Sequence, residues 1–461
     1  MSELPKGWIA KKLADVAEVN MGQSPKGEFV NQDMNGMPFY QGKAEFGSIR
    51  PSPRKWCTKP TKVAEKGDIL MSIRAPVGPT NYCPEKSCIG RGLAGVRAYP
   101  ELHQHYLFYY FKSIEPWLSQ QGTGSTFKAI SGKFLRDIDV KLAPLEEQKR
   151  IADKLDSVLA KVEAAQARLD KIPTILKRFR QSVLAAATSG ELTKEWREER
   201  NHSTEDMLSG FEELAAPPRY ASRNKGFIFG INATSVGTPS TAAVRQWKWV
   251  PLVKVAQMSS GHTPSRSKPE YWGGSINWLG IKDAREHHSK EINSTIQKTN
   301  ELGVSNSATR ILPKGTICIS RTASVGYVVK LGADMCTSQD FVNWTCSEVV
   351  DADWLKWLFV AEKEALFKFG KGTTHTTVYF PEWLSINILL PPIEEQQEIV
   401  RIIDGLFCKA DRIERQFNDT KLRINKLTQS ILAKAFKGEL LTSSVDSDIE
   451  AIESSVEAIH A

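Results

Sequence analysis

Between residues 146 and 183, apolar side chains fall at Ile151, Leu155, Val158, Val162, Ala165, Leu169, Ile172, Leu176, Phe179 and Val183, in alternating steps of four and three without a break. That spacing predicts one long helix with a heptad seam. The same steps return at Ile399, Ile403, Leu406, Ala410, Ile413, Phe417, Thr420, Ile424, Leu427 and Ile431, with Thr420 the one polar residue in a seam position. Each helix has a stripe to bury, and the other is the obvious partner. Elsewhere the pattern shortens to apolar and β-branched runs bounded by Gly, Pro and Asn, as at residues 67–73 and 315–320, which predict strands. Shorter helices are expected over residues 103–118, with Leu107, Phe108, Phe111 and Ile114 on one side, and over residues 354–369, with Leu355, Leu358, Phe359 and Leu366.

The pattern repeats because the residues do. Pro144-Leu145-Glu146-Glu147-Gln148 recurs as Pro392-Ile393-Glu394-Glu395-Gln396, and Gln181-Ser182-Val183-Leu184-Ala185 as Gln429-Ser430-Ile431-Leu432-Ala433, so residue 148 answers to 396 at an offset of 248. The offset holds from Lys66-Gly67 against Lys314-Gly315 to Gly190-Glu191-Leu192 against Gly438-Glu439-Leu440. The chain is two copies of one unit, each a globular part followed by a helix. Pro144 and Pro392 precede paired glutamates, which suit the positive end of a helix dipole. Gly190 and Gly438 suit the left-handed residue that closes a helix, giving about 45 residues or roughly 65 Å. Pro173 is expected to kink the first helix at a cost of about 3 kcal/mol; its counterpart is Lys421, so a bent first helix beside a straighter second one is expected.

The resulting order is a domain over residues 1–144, a helix over 145–194, a connector over 195–246, a second domain over 247–392, a second helix over 393–442 and a tail over 443–461. Both domains read as mixed and strand-rich, an α+β class. Pro217-Pro218 and the small residues from Ser235 to Ala243 predict that much of the connector is loop. The tail, rich in Ser, Asp and Glu, is expected to be flexible, or a weak helix from Asp448 onward.

Composition narrows the classes. With 41% hydrophobic and 25% charged residues, the 461-residue chain reads as an ordinary well-packed protein. No apolar run approaches the roughly 20 residues needed to cross a bilayer, and Met1-Ser2-Glu3-Leu4-Pro5 has no signal-peptide pattern, so no membrane partner and a cytoplasmic location are expected. Cys57, Cys83, Cys88, Cys318, Cys336, Cys346 and Cys408 make no CxxC pair and no zinc spacing, and read as reduced thiols. A net charge of +8 fits a polyanion partner. The excess lies in the globular parts: residues 1–144 carry 20 Lys and Arg against 13 Asp and Glu, and residues 247–392 carry 16 against 13. That is modest, as expected of a reader that also touches bases.

Catalytic machinery is not found. The Pro-Pro pairs, in Ala216-Pro217-Pro218-Arg219 and Leu390-Pro391-Pro392-Ile393, do not make the tetrad by which an adenine methyltransferase holds a flipped base, and no phosphate loop for an ATP-driven motor exists. His287-His288, being adjacent, cannot put two metal ligands on one helix face. Catalytic and metal residues are therefore assigned to none. Polar, basic loops instead suit DNA, since Gly lets backbone N–H groups near phosphate while Arg, Lys, Gln and Asn pair with base edges. Residues 22–26 and 261–266 occupy matching positions, as do residues 122–128 and 370–375. The candidate contacts are Ser24, Lys26, Gln41, Lys43, Arg54, Lys55, Arg74, Ser125 and Lys128 in the first copy, and Thr263, Arg266, Lys282, Arg285, Arg321, Thr374 and His375 in the second.

The run from Pro144 to Ala152, the segment from Ile172 to Gln181 and the stretch from Leu427 to Leu440 resemble the conserved regions of the specificity subunit of type I restriction-modification enzymes. The resemblance covers the architecture of nearly the whole chain, but its motifs are sharp only in the helices. It implies that the globular parts are target recognition domains held apart by an antiparallel coiled coil with an internal pseudo-two-fold repeat. It implies double-stranded DNA, two methyltransferase subunits and, in the full complex, two restriction and motor subunits as partners. No cofactor is expected on this chain; S-adenosylmethionine, ATP and Mg belong to those partners. A bipartite, asymmetric target is expected, one half-site per domain, with an unread gap of at most about 15 base pairs set by a seam of roughly 50 Å. A stand-alone DNA-binding regulator, or a scaffold whose heptads recruit a third helix, are the other readings the pattern allows.

Overall fold

In a computed structural model of the chain, residues 4–122, 129–200, 234–236, 244, 247–322, 324–363, 366 and 377–460 are described. They divide into two compact units, Met1–Ile172 with Ile413–Ala461, and Pro173–Arg412.

In the first unit, Ala17–Met21, Leu93–Ala98, Ile69–Ser72 and Thr80–Tyr82 form one sheet in that order, all neighbours antiparallel. A second sheet orders Val30–Asn31, Lys55–Cys57, Met37–Tyr40, Ser87–Ile89 and Val63–Ala64. Ile9–Lys12 pairs with Asp139–Leu142. The helix Gln104–Gln121 buries Tyr106, Leu107, Phe108 and Phe111. In the second unit, Ala256–Ser260, Phe341–Cys346, Ile317–Ser320, Val328–Leu331 and Glu291–Ile292 make the matching sheet, and Gln297–Thr299, Trp272–Leu279 and Cys336–Thr337 the smaller one. Register repeats with the sequence: Leu93 lies opposite Ser72, and Phe341 opposite Ser320.

The repeated Glu-Glu-Gln run is the junction between domain and helix. Buried Gln148 accepts the His103 N–H at 2.8 Å and donates to the carbonyls of Ala143 (2.8 Å) and Glu101 (3.2 Å). Gln396 does the same, accepting from Asp351 N–H at 2.7 Å and donating to Pro391 and Val349 at 2.9 and 3.0 Å. The second glutamate of each pair accepts an indole N–H, Glu147 from Trp8 and Glu395 from Trp247. Dipole complementation alone therefore does not account for the glutamates; Glu395, fully buried, also binds Thr193 and Arg197 at 2.6 and 2.5 Å.

The helices depart from expectation at Pro173. The first is interrupted at residues 170 and 171, giving Leu145–Leu169 and Ile172–Ser189, where a kink within one helix was expected. The proline ring would clash with the carbonyl four residues back; as the second residue of a new helix it has no such carbonyl to meet. The second helix runs unbroken over Ile393–Ala435. Gly190 and Gly438 follow the helices with φ of 80° and 75°. Within the first unit, Lys421 reaches Asp170 at 3.4 Å while Phe436 packs on Tyr106 and Tyr110, and within the second, Arg180 reaches Asp411 at 2.7 Å while Thr193 meets Glu395. Within the second unit, numbers rise along the first chain segment as they fall along the other, so those two segments run in opposite directions. The seam residues from Ile151 to Leu176 are buried, as are Ile399, Ile403, Ala410, Phe417, Ile424 and Ile431, but Phe179 is 38% exposed. A seam between two helices is narrow and leaves the edge of a large ring uncovered.

Of the two readings of the tail, the helix holds and the flexible segment does not: Val445–His460 is a helix and packs on Leu145–Leu169. It starts three residues before Asp448 because Val445, Ile449, Ile452, Val456 and Ile459 form a buried stripe at helical spacing. Lys154 pairs with Asp446 at 2.7 Å. Lys194–Arg200, which runs from the end of the expected first helix segment into the connector, is helical, and within the connector Thr234–Val236 is a strand parallel to Ile386–Leu390, where a loop was expected at Ser235. Pro217-Pro218 and most of the remaining connector lie outside the described residues. The helix expected over 354–369 is described as Ala352–Ala361.

Candidate nucleic-acid interface

Met37–Tyr40 and Ser87–Ile89 are parallel neighbours, so the loops that follow them leave the sheet on the same side and meet. In the second unit the parallel neighbours are Trp272–Leu279 and Cys336–Thr337. A cleft opens between the paired loops in each domain.

The first cleft, about 790 Å3, is lined by Gln41, Gly42, Lys43, Ala44, Glu45, Ser72, Arg74, Ala75, Pro76, Arg91 and Gly92. Glu45 shapes its floor by accepting the N–H groups of Gly42 and Gln41 at 3.0 and 3.3 Å. Three cations against one carboxylate leave the cleft positive. The second, about 360 Å3, includes Arg266, Trp278, Lys282, Asp283, Gln297, Ser338 and Asp340. Asp283 takes the place of Glu45, accepting the Gly280 N–H at 3.1 Å and the Ile296 N–H at 2.8 Å. Arg266 lies 5.1 and 5.4 Å from the ring centres of Trp272 and Trp278 and donates to Gln297 at 3.2 Å. Its two cations face two carboxylates, so this cleft is near neutral.

Behind both clefts a glycine is required. A Cβ on Gly22 would lie 2.3 Å from the Gly90 carbonyl oxygen, and one on Gly261 2.2 Å from those of Thr337 and Ser338. That close approach carries the next residues to the rim: Ser24 Oγ accepts the Arg91 N–H at 3.3 Å, and the Thr263 hydroxyl donates to Gln339 Oε1.

Of the sequence candidates, the structure thus brings Ser24, Gln41, Lys43 and Arg74 together, and Thr263, Arg266 and Lys282 together. Others stand apart. Lys26 is exposed, 3.9 Å from Glu28; Arg54 and Lys55 sit on the strand Lys55–Cys57 and its approach, outside the cleft. Arg285 is exposed in the last turn of Ile281–Glu286, and the Arg321 guanidinium lies 4.2 Å from the Phe380 ring centre. Ser125, Lys128, Thr374 and His375 lie outside the described residues. Arg91, Gln339, Asp340 and Gln297 were not singled out in the sequence; Gly90-Arg91-Gly92, a cation between glycines after an apolar strand, is the signal that marks the first.

Each histidine of the pair meets a backbone group. His287 Nδ1 lies 3.0 Å from the Asp283 carbonyl, and His288 Nδ1 accepts the Val328 N–H at 3.1 Å. Burial, then the charge of Lys363, pushes the His288 pKa down. Among the described residues no cluster of three His, Cys, Asp or Glu side chains could hold a metal ion, and no helix is long and apolar enough to cross a membrane. All seven cysteines are free thiols, with Cys408 alone exposed. Such clefts offer donors and acceptors for base edges and cations for phosphate.

The family model for the type I restriction modification DNA specificity domain matches residues 5–174 and again residues 245–420. The type I restriction enzyme MjaX specificity subunit of Methanocaldococcus jannaschii is 41% identical over 187 residues, which span 40% of this chain and 44% of that relative. The type I restriction enzyme EcoBI specificity subunit of Escherichia coli is 28% identical over 453 residues, 94% of this chain and 86% of its own. A solved structure described as the structural basis of complex assembly and conformational transition of the type I R-M system has a TM-score of 0.68 at 18% identity, covering 95% of this chain and all of that one.

Proposed function

This chain belongs to the type I restriction-modification DNA specificity family, and from that membership we propose that it selects a bipartite, asymmetric DNA target, one half-site per domain. The observation that carries the division is the contrast within the repeat. The junctions at Gln148 and Gln396 are made of the same bonds, while the clefts at the same place in the two domains present different side chains. Attachment is held constant and the reading surface varies, as a two-part asymmetric target requires.

The two long helices act as an antiparallel coiled coil related by a pseudo-two-fold, and their length sets the unread gap. Lys43, Arg74, Arg91, Arg266 and Lys282 supply phosphate and base contacts; Ser24, Gln41 and Thr263 add polar ones. The chain itself performs no bond chemistry. Methyl transfer to adenine N6 belongs to two methyltransferase subunits that carry S-adenosylmethionine, and cleavage to two motor subunits that use ATP and Mg; all act in the cytoplasm. Only the choice of adenine to be flipped out comes from this chain.

The test is a genome-wide map of N6-methyladenine in the source cell with the gene intact and deleted. Loss of one two-part motif with a fixed gap on deletion is the expected result. An unchanged map in a cell that expresses the chain and its partners overturns the proposal and favours a stand-alone regulator.

A further inference from the structure

Arg91 and Gln339 occupy one position in the repeat, fixed on both sides by the same backbone bonds. Ahead of them, Gln23 N–H bonds Ile89 O at 3.0 Å and His262 N–H bonds Thr337 O at 2.9 Å. After them, Ile73 N–H bonds Gly92 O at 2.9 Å and Arg321 N–H bonds Asp340 O at 2.8 Å. Each is an exposed residue two positions after a buried strand end, Ile89 or Thr337, and two before a buried one, Leu93 or Phe341. Ser24 Oγ accepts the backbone N–H of Arg91, while the Thr263 hydroxyl donates to the side chain of Gln339. Backbone placement is thus the same in both domains, while the side chain at the position and its immediate neighbours differ.

We infer that Arg91 and Gln339 are equivalent base-reading side chains, so that the half-site of the first domain contains a guanine where that of the second contains an adenine. This rests on the proposed DNA reading. A guanidinium pairs in bidentate fashion with guanine O6 and N7, and a carboxamide with adenine N6 and N7. Gln339 is set up for the second pairing. The Thr263 hydroxyl occupies one lone pair of Oε1 and orients the amide, leaving the other lone pair to accept from adenine N6–H and the NH2 group to donate to N7. The flanking residues reinforce the difference, because Gly90 and Gly92 leave Arg91 unobstructed while Ser338 and Asp340 bond each other beside Gln339. A side chain held here for phosphate alone has no reason to be glutamine in one copy.

The experiment places Arg91→Gln and Gln339→Arg separately in the full chain within its own complex. The readout is the methylated motif across the source genome, together with the motif enriched from a pool of randomised 40-base-pair duplexes. Discrimination at one base pair of one half-site should fall roughly ten- to a hundredfold, with guanine replaced by adenine for Arg91→Gln and the converse for Gln339→Arg. The other half-site and the gap stay as they were. An unchanged motif, or weaker methylation at an unchanged motif, overturns the inference and makes the position a phosphate contact. Loss of all enrichment by a variant with an unchanged melting temperature overturns it too, since one base contact governs one position. Absence of any motif with the unaltered chain is a different failure, that of the DNA reading itself.

Discussion

Gln148 and Gln396 each satisfy three backbone groups from inside the protein, and the same three in each copy. Replacing either by Leu preserves bulk but leaves one N–H and two carbonyls without that partner, a loss of about 2–4 kcal/mol. Chemical denaturation should report that loss for Gln148→Leu and Gln396→Leu alike; a change under about 0.5 kcal/mol would remove the junction from the list of stabilising contacts. His288 makes a pH-dependent contribution. Its Nδ1 accepts a hydrogen bond, so the ring is neutral, and its folded pKa lies below the ordinary value near 6.5 because of burial and then Lys363. The unfolded chain takes up the proton first, so this stability is complete above pH about 6.5 and is lost as pH falls through the folded value. The melting temperature of the chain should drop from pH 7.5 to 5.5, and His288→Asn should flatten the drop; equal slopes for the two proteins refute the assignment. The Glu-Glu-Gln run was visible as a helix start because it repeats, but not as a clamp. Its partners stand 45 residues away at His103 and 139 at Trp8, and that register depends on the folded domain.

At the scale of elements, periodicity served where one face is buried and failed where packing decided the outcome. The seam positions and the strands Ile69–Ser72 and Ile317–Ser320 follow from spacing alone. The helix at Val445–His460 has the same kind of stripe, yet its Ser, Asp and Glu content suggested a mobile tail or at most a weak helix from Asp448, since nothing in the composition says that a surface on Leu145–Leu169 awaits it. Acidic residues lie mainly on the exposed side, and the valines and isoleucines are buried. Ile449, 1% exposed, lies near the start of that stripe. Ile449→Ala should destabilise the first unit by about 2–5 kcal/mol, whereas Glu450→Ala on the exposed side should change it by less than about 0.5. Hydrogen exchange on residues 145–169 distinguishes the cases: protection there should weaken in the first variant only. The clefts were half legible. Gln41, Lys43 and Arg74 are polar or basic residues after apolar runs, whereas Arg91 reaches the same place only through the parallel pairing of Phe39 with Cys88, which no local pattern encodes.

For the whole molecule, the proposal separates what is read from how far apart it is read, and the separation is testable because seven residues are close to two helical turns. One heptad inserted between Leu176 and Phe179, with a matching heptad between Ala410 and Phe417, lengthens both helices by about 10.5 Å while returning each seam to nearly the same face. That length corresponds to about three base pairs of DNA. The methylated motif should keep both half-sites and gain about three unread positions. A five-residue insertion at the same two places rotates everything beyond it by about 140°, taking the apolar stripe off the seam; methylation should then disappear. An insertion in one helix alone mismatches antiparallel partners such as Arg180 and Asp411 and should also abolish methylation. If the heptad pair leaves the gap unchanged, or alters half-site bases, the helices do not set the spacing, and the distance between the reading surfaces must be fixed by the partner subunits instead.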